Sequence, residues 1–192
     1  MAQKVNDMKI GVFTIGEVDL RLLYRLICCL EERFLYKFLV SSNYPPPSSA
    51  FNAVKKQYFA PALMNKAKLS FHEDVKYSLG ITRLDLYSSS LNTVFGDANL
   101  NEKIALTSYY RLSPEFYAYQ NGENPLFDRL LKEAVHQLSH ILGLKHCYNR
   151  HCVLYYSSTI YDIDQKSSLF CADCEKKLKK AAAYDRTNDF HA

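Results

Sequence analysis

The stretch KEAVHQLSHILGLKHC, residues 132–147, carries three histidines on a spacing that can hold a metal ion. His136 and His140 are four residues apart, so on a helix their imidazoles project from one face on successive turns. Gly143 can end that helix in a left-handed conformation, and the chain then returns His146 as a third ligand. Three nitrogen ligands leave a tetrahedral zinc one open position for water, which is typical of a catalytic zinc site rather than a structural one.

Four cysteines follow at spacings that suit a second zinc ion. They form a Cx4C pair and a CxxC pair separated by eighteen residues: Cys147, Cys152, Cys171 and Cys174. Four thiolates complete the coordination of zinc and leave no place for a substrate, so residues 147–174 are interpreted as a structural zinc subsite. Cys28 and Cys29 lie in a predicted helix without such a pattern, and we interpret them as small core residues.

The composition favours a single α/β domain over residues 1–192. A chain of 192 residues with 48% hydrophobic content can bury one large core, and a net charge of +4 spread along it does not indicate a nucleic-acid partner. The first residues contain no apolar segment long enough for a signal peptide or a membrane anchor. We therefore expect a cytoplasmic monomer with no membrane partner, in which the six cysteines are not paired as disulfides.

Hydrophobic periodicity predicts strands that alternate with helices, and hence a mixed sheet packed with helices. The predicted strands cover residues 9–16, 36–40, 80–89, 92–100 and 103–112. The predicted helices cover residues 19–34, much of 62–79, and 124–146, the last with Asn124 and Pro125 at its start. The prolines within residues 41–49 predict a loop, and a short helix after Lys177 is expected to fray into a tail.

The segments HQLSHILGLKHC, CVLYYSS, DQK and FCADC together resemble the archaemetzincins, metzincin zinc peptidases with an added four-cysteine zinc site. GITRLDLY, VFGDANL, TSYYRL and KEAVH also look like family segments in family order, so the resemblance covers residues 8–177 and leaves 178–192 as a tail. It implies a compact metzincin-like fold, peptide hydrolysis, and two zinc ions per chain, one of them catalytic on His136, His140 and His146. It also implies that an edge strand binds an extended peptide, and residues 92–98 are the candidate, with an ordinary strand and turn as the alternative.

Two positions depart from the family pattern. Gln137 stands where the family has the glutamate that takes a proton from the zinc-bound water and delivers it to the leaving amine. An amide has no useful basicity, and losing a general base costs on the order of 10²- to 10⁴-fold in rate. Leu154 replaces the Met-turn methionine with a side chain of similar volume. We expect zinc to bind while hydrolysis is absent or strongly reduced, with peptide binding as a role that could remain.

Other interpretations stay open. A working metallopeptidase could use another proton carrier, such as Tyr156, Glu133 or a carboxylate of the substrate. Tyr156 has the spacing at which some other metzincins place a tyrosine near zinc, although a packed aromatic is the simpler interpretation. Glu133 lies one turn before His136, where an exposed or structural glutamate is the simpler interpretation. The basic residues 176–180 suggest a nucleic-acid-binding module, but a solvated helix face explains them as well.

Overall fold

The computed structural model describes residues 9–34, 36–68, 75–117 and 125–188. Along these residues eight strands and five α-helices follow one another. In chain order they are β1 (Lys9–Ile15), α1 (Leu20–Phe34), β2 (Lys37–Tyr44), β3 (Phe51–Asn52), β4 (Gln57–Phe59), α2 (Ala60–Lys68), β5 (Val75–Thr82), β6 (Leu86–Tyr87), β7 (Gly96–Asn99), β8 (Ile104–Ser108), α3 (Leu126–Ile141), α4 (Ile160–Gln165) and α5 (Ala172–Asn188).

A five-stranded mixed sheet lies at the centre, in the order β2-β1-β5-β8-β7. The strands β2, β1, β5 and β8 are parallel, whereas β7 runs antiparallel to β8 and forms one edge. Parallel neighbours need a crossover connection, and α1 supplies it between β1 and β2. A second sheet contains the three short strands β3, β4 and β6. The predicted α/β fold with a mixed sheet is therefore confirmed.

Successive residues of a strand point to opposite faces of the large sheet, and helices pack on both of these faces. On one face, Val12 of β1 belongs to a core cluster that includes residues of α1 and α3. On the other face, Phe13 packs in a cluster with Leu63 of α2 and Leu106 of β8. A β-carbon on Gly80 would lie 2.5 Å from the Phe13 ring, so the glycine leaves the space that the ring fills.

The start of α1 agrees with the sequence prediction, whereas the start of α4 carries a local signal that was missed. Asp19 Oδ1 accepts the backbone N–H of Arg21 at 2.8 Å and so caps α1 where a helix was predicted to begin. At α4, which was not predicted, Thr159 and Asp162 form a reciprocal capping box. Among the described residues, no helix has the length and apolar character needed to cross a membrane.

Several predicted boundaries in the first half were wrong. The strand β2 continues to Tyr44, which pairs with Ile15 of β1, so the predicted loop starts later than residue 41. Residues 75–79, predicted as helix, belong to β5, since pairing with β1 on one side and β8 on the other overrides the local pattern. The strand predicted over residues 80–89 is divided between β5 and β6, which lie in different sheets.

Boundaries in the second half also differ. The strand predicted at residues 92–100 is confined to β7, and the one at 103–112 ends at Ser108 before a 3₁₀ turn, Tyr110–Leu112. The last helix, α5, begins at Ala172 and not after Lys177, because Cys174 and Leu178, four residues apart, are buried on one face of the same helix. Asn124 and residues 189–192 of the predicted tail lie outside the described residues.

Candidate metal centre

The end of α3 brings the three histidines together. The chain leaves the helix through Gly143, whose φ of +88° lies in the left-handed region. The N–H of Gly143 donates to the His140 carbonyl at 3.0 Å and that of Leu144 to the Ser139 carbonyl at 3.0 Å, which is the Schellman pattern of helix termination. As predicted, this turn directs His146 back toward the helix.

The imidazoles converge on one point. The Nε2 atoms of His136 and His140 are 3.0 Å apart. The ring centroid of His146 lies 5.2 Å from the ring centroid of His136 and 4.7 Å from that of His140. One ligand atom from each of the three rings lies within 4.8 Å of the others. These distances place three nitrogen ligands around a space that suits a single ion, and the donor set fits zinc.

Backbone carbonyls fix the orientation of the first two rings. Nδ1 of His136 lies 2.9 Å from the Val153 carbonyl, and Nδ1 of His140 lies 2.8 Å from the Leu144 carbonyl. A carbonyl only accepts hydrogen bonds, so each Nδ1 carries the proton and each Nε2 presents a lone pair to the shared point. Burial lowers the pKa of His136 to about 4 and lowers the pKa of His140. Both rings are therefore neutral near pH 7, the state that binds metal.

The four predicted cysteine ligands also meet, with their sulfur atoms within 4.8 Å of one another. Cys147 follows His146, while Cys171 and Cys174 lie at the start of α5. The backbone N–H groups of Asn149 and Cys171 donate to sulfur at 3.4 Å, and the N–H of Cys174 lowers the pKa of Cys171 to about 7. Each of these donors favours a thiolate, whereas burial raises the pKa of Cys152 and of Cys174. The group fits a zinc ion because four sulfur atoms converge on one space.

The remaining cysteine prediction was partly wrong. Cys29 is half-buried and packs against the main core, but Cys28 is exposed on the surface of α1. Adjacent residues on a helix point in different directions, so Cys28 faces outward when Cys29 packs on the core.

A cleft of about 1310 Å³ opens over the histidines. Residues 91–98, which include the first part of the edge strand β7, form one wall, in agreement with the predicted position of the edge strand. Lys145, Tyr156 and, from α5, Lys177 also line the cleft. Gln137, only 8% exposed, lies in the cleft beside His136. The edge strand β7 and the segment that carries the histidines therefore line the same cleft.

The other predicted site residues occupy distinct positions. The Tyr156 ring borders the cleft, 5.2 Å from the ring of His146 in an edge-to-face arrangement. Leu154 is fully buried, and its carbonyl accepts the N–H of Cys147 at 2.9 Å. Glu133 also borders the cleft, but its side chain is 4% exposed and its carboxylate is 2.8 Å from Nζ of Lys166. It is neither exposed nor free.

Sequence reasoning missed two groups that support the histidines. One is the Val153 carbonyl, which no side-chain pattern indicates. The other is Lys166, whose Nζ is fully buried near His136. The only signal for Lys166 was the likeness of DQK, residues 164–166, to a family segment.

A helix that presents two histidines, a glycine turn that returns a third, and an edge strand along the cleft define a protein of the zinc-peptidase class. The family model described as peptidase family M54 matches residues 38–180. The chain belongs to the archaemetzincin family, so the resemblance read from its motifs is confirmed. It is 36% identical to the archaemetzincin of Methanocaldococcus jannaschii over 183 residues, which cover 94% of this chain and 98% of that protein.

Solved structures agree with this assignment. The crystal structure of archaemetzincin from Methanopyrus kandleri has a TM-score of 0.80 and 28% identity, and the match covers 95% of this chain and 99% of that one. A structure described as a zinc-dependent peptidase from Methanocorpusculum labreanum has a TM-score of 0.78 and 26% identity, and the match covers 88% of this chain and 99% of the other. The fold described above is thus the fold of this family.

Proposed function

We propose that this protein is a zinc-binding archaemetzincin that binds extended peptides and in which zinc-dependent hydrolysis is absent or strongly reduced. The observation that carries the proposal is the position of Gln137, which lies in the cleft beside a complete set of three histidine ligands. The metal ligands are retained while the residue that should move the proton is replaced.

The chemistry of the side chains gives the reason. Zinc on the three histidines would supply Lewis acidity and an acidified water. Gln137 can orient that water, because its amide oxygen accepts and its amide nitrogen donates hydrogen bonds. It cannot accept the proton or pass it to the leaving amine. The missing step corresponds to roughly 3 to 5 kcal/mol of activation barrier.

The edge strand supports a peptide as the ligand. The antiparallel partner β8 pairs with β7 on one side, and β7 is the last strand in the order of the large sheet. Its other edge adjoins the cleft, where a peptide could add a further strand through backbone hydrogen bonds. Such binding needs neither Gln137 nor a general-base glutamate in its place.

The four cysteines support a second, structural zinc ion, giving two ions per chain. Zinc at this position would join the segment after His146 to α5. We further propose that the protein acts as a cytoplasmic monomer without a nucleic-acid partner, in keeping with its diffuse charge of +4.

A second candidate function is a working peptidase with a different proton carrier. The position of Tyr156 favours it, because the hydroxyl-bearing ring borders the cleft next to His146. Glu133 is a poorer candidate, since Lys166 holds its carboxylate. A carboxylate brought by the substrate would also serve.

The test is cleavage of a diverse peptide pool, followed by mass spectrometry, for the zinc-loaded native protein and Gln137→Glu, each with and without a chelator. We expect chelator-sensitive cleavage from Gln137→Glu alone, at a rate on the order of 10² times that of the native protein or more. Tyr156→Phe in both backgrounds is the matched control. Chelator-sensitive cleavage by the native protein that Tyr156→Phe removes would establish the second candidate instead.

A further inference from the structure

A buried ion pair lies behind the first histidine of the site. Lys166 directly follows α4, and its Nζ donates to Oε1 of Glu133 on α3 at 2.8 Å. The Lys166 side chain is 0% exposed and that of Glu133 is 4% exposed. Burying two charges away from water is unfavourable, so a pair of this kind is seldom explained by stability alone.

The pair is in contact with His136. Nζ of Lys166 lies 3.5 Å from Nδ1 of His136, on the side of the ring opposite the nitrogen that faces the shared metal position. Because the Nδ1 proton is directed to the Val153 carbonyl, this contact is electrostatic and not a second hydrogen bond. One imidazole ring therefore separates a buried ammonium from the place where a divalent cation would bind.

An unpaired ammonium at this distance would oppose that cation, since charges interact strongly where water is excluded. The Glu133 carboxylate, in direct contact with the ammonium, cancels its charge. At the same time the ammonium fixes the carboxylate and connects the end of α4 to α3. The geometry points to Glu133 and Lys166 as positioning residues that keep the surroundings of His136 electrically neutral, so that the three histidines can hold a dication.

This inference goes beyond the proposed function, because it concerns metal affinity and holds whether or not the protein cleaves peptides. It also gives Glu133 a role other than general-base catalysis, for which its contact with Lys166 makes it a poorer candidate. The predicted effects of the two residues on metal affinity have opposite signs. Removing the carboxylate leaves a repulsive charge beside the cation, whereas removing the ammonium leaves an attractive one.

The experiment is a cobalt titration of the full-length protein followed by absorption spectroscopy. Co²⁺ on three imidazoles gives visible bands without the thiolate charge-transfer absorption that Co²⁺ on the cysteines adds, so the two sites are followed separately. Thermal unfolding of the metal-free proteins is measured in parallel. The variants are Glu133→Gln, Lys166→Met and the double variant.

We expect Glu133→Gln to weaken Co²⁺ binding at the histidine site by on the order of 10- to 100-fold. Lys166→Met should bind at least as tightly as the native protein, and the double variant should recover most of the affinity that Glu133→Gln loses. Affinity at the cysteine site should not change. A matched control is Asp164→Asn, because the ion pair of Asp164 with Arg129, at 2.7 Å, also joins α4 to α3. Arg129 lies two helical turns before His136, so this pair is remote from the histidine.

Two results would overturn the inference. The first is weaker cobalt binding in both single variants, in proportion to lost thermal stability, which would mean that the pair only fastens two helices. The second is native affinity in Glu133→Gln. If Glu133→Gln does not fold, Lys166→Met still decides, because a drop in its affinity contradicts the predicted sign.

Discussion

Gly96 and Gln137 both line the cleft and are in contact, since a β-carbon on Gly96 would lie 2.8 Å from Cγ of Gln137. The same β-carbon would lie 2.5 Å from the carbonyl oxygen of Leu106 on the neighbouring strand. Any side chain at this position must therefore displace the glutamine and separate β7 from β8. Because Gly96 has no side chain, Gln137 has room to reach the cleft.

The substitution Gly96→Ala should destabilise the protein by about 1 to 3 kcal/mol through overpacking. Chemical denaturation of native and variant proteins measures the difference. In a Gln137→Ala background the penalty should shrink but not vanish, because the contact with the Leu106 carbonyl remains. An equal penalty in both backgrounds would show that the glutamine does not pack against the strand.

The carboxyl group of Asp97 should make stability depend on pH. Burial raises its pKa above the ordinary value of 3.8, while the N–H of Ala98 partly opposes the shift. An acid with a raised folded pKa is destabilising when ionised. The cost is absent below pH 3.8, grows as pH rises through the folded pKa, and is complete above it.

Asp97→Asn should therefore be more stable than the native protein at pH 7, and the difference should decrease as the pH falls toward 4. Paired thermal unfolding curves at several pH values measure it. A difference that does not change with pH would assign the effect to packing and not to ionisation.

The two lysines that line the cleft should select for acidic peptides. Lys145 and Lys177 both border it, and neither has an ion-pair partner among the described residues. Fluorescence anisotropy of labelled peptides should show that Lys145→Gln and Lys177→Gln each weaken binding of an acidic peptide by about 2- to 5-fold, corresponding to a surface ion pair.

The matched control is Lys179→Gln, on the same helix as Lys177, because Lys179 is paired with Glu175 at 2.7 Å outside the cleft wall. It should leave affinity unchanged, and added salt should weaken native binding. Equal affinity for acidic and basic peptides of matched length would contradict the prediction.

Loss of one cysteine ligand should be costly. Cys174→Ser removes a buried ligand from the four-cysteine group, so we expect zinc content to fall by one ion per chain and the melting temperature to fall by on the order of 10 °C. Elemental analysis and thermal unfolding measure the two quantities. Cys28→Ser, at an exposed position on α1, should change neither. Unchanged zinc content in Cys174→Ser would refute the second site.

The convergence of the three histidines could be predicted from sequence because its geometry is local. Two histidines one helical turn apart and a glycine three residues after the second determine most of the arrangement. His146, which follows the turn, completes it. The support of the site could not be predicted, because it depends on contacts over long sequence separations. The Val153 carbonyl and Lys166 reach His136 from 17 and 30 residues away, and a buried lysine looks like any other lysine in a sequence.

The fold shows the same division. The helix α1 could be placed because Asp19 and the apolar stripe that follows it are adjacent in the sequence. The strand β5 was misassigned at residues 75–79 because strand identity there comes from two neighbours that lie far away in the sequence. The cap at Asp19 and the turn at Gly143 were read correctly from sequence, whereas the capping box of α4 was missed and tertiary pairing left no local signal.

The four cysteines place the beginning of α5 against the segment that carries His146, and one turn later Lys177 borders the cleft. The next residue, Leu178, is buried in the main core. The tail predicted over residues 178–192 therefore begins with a core residue, directly after a residue that lines the cleft. Truncation after Cys174 would remove both residues, so we expect a chain without the C-terminal helix to lose part of the cleft lining together with a core contact.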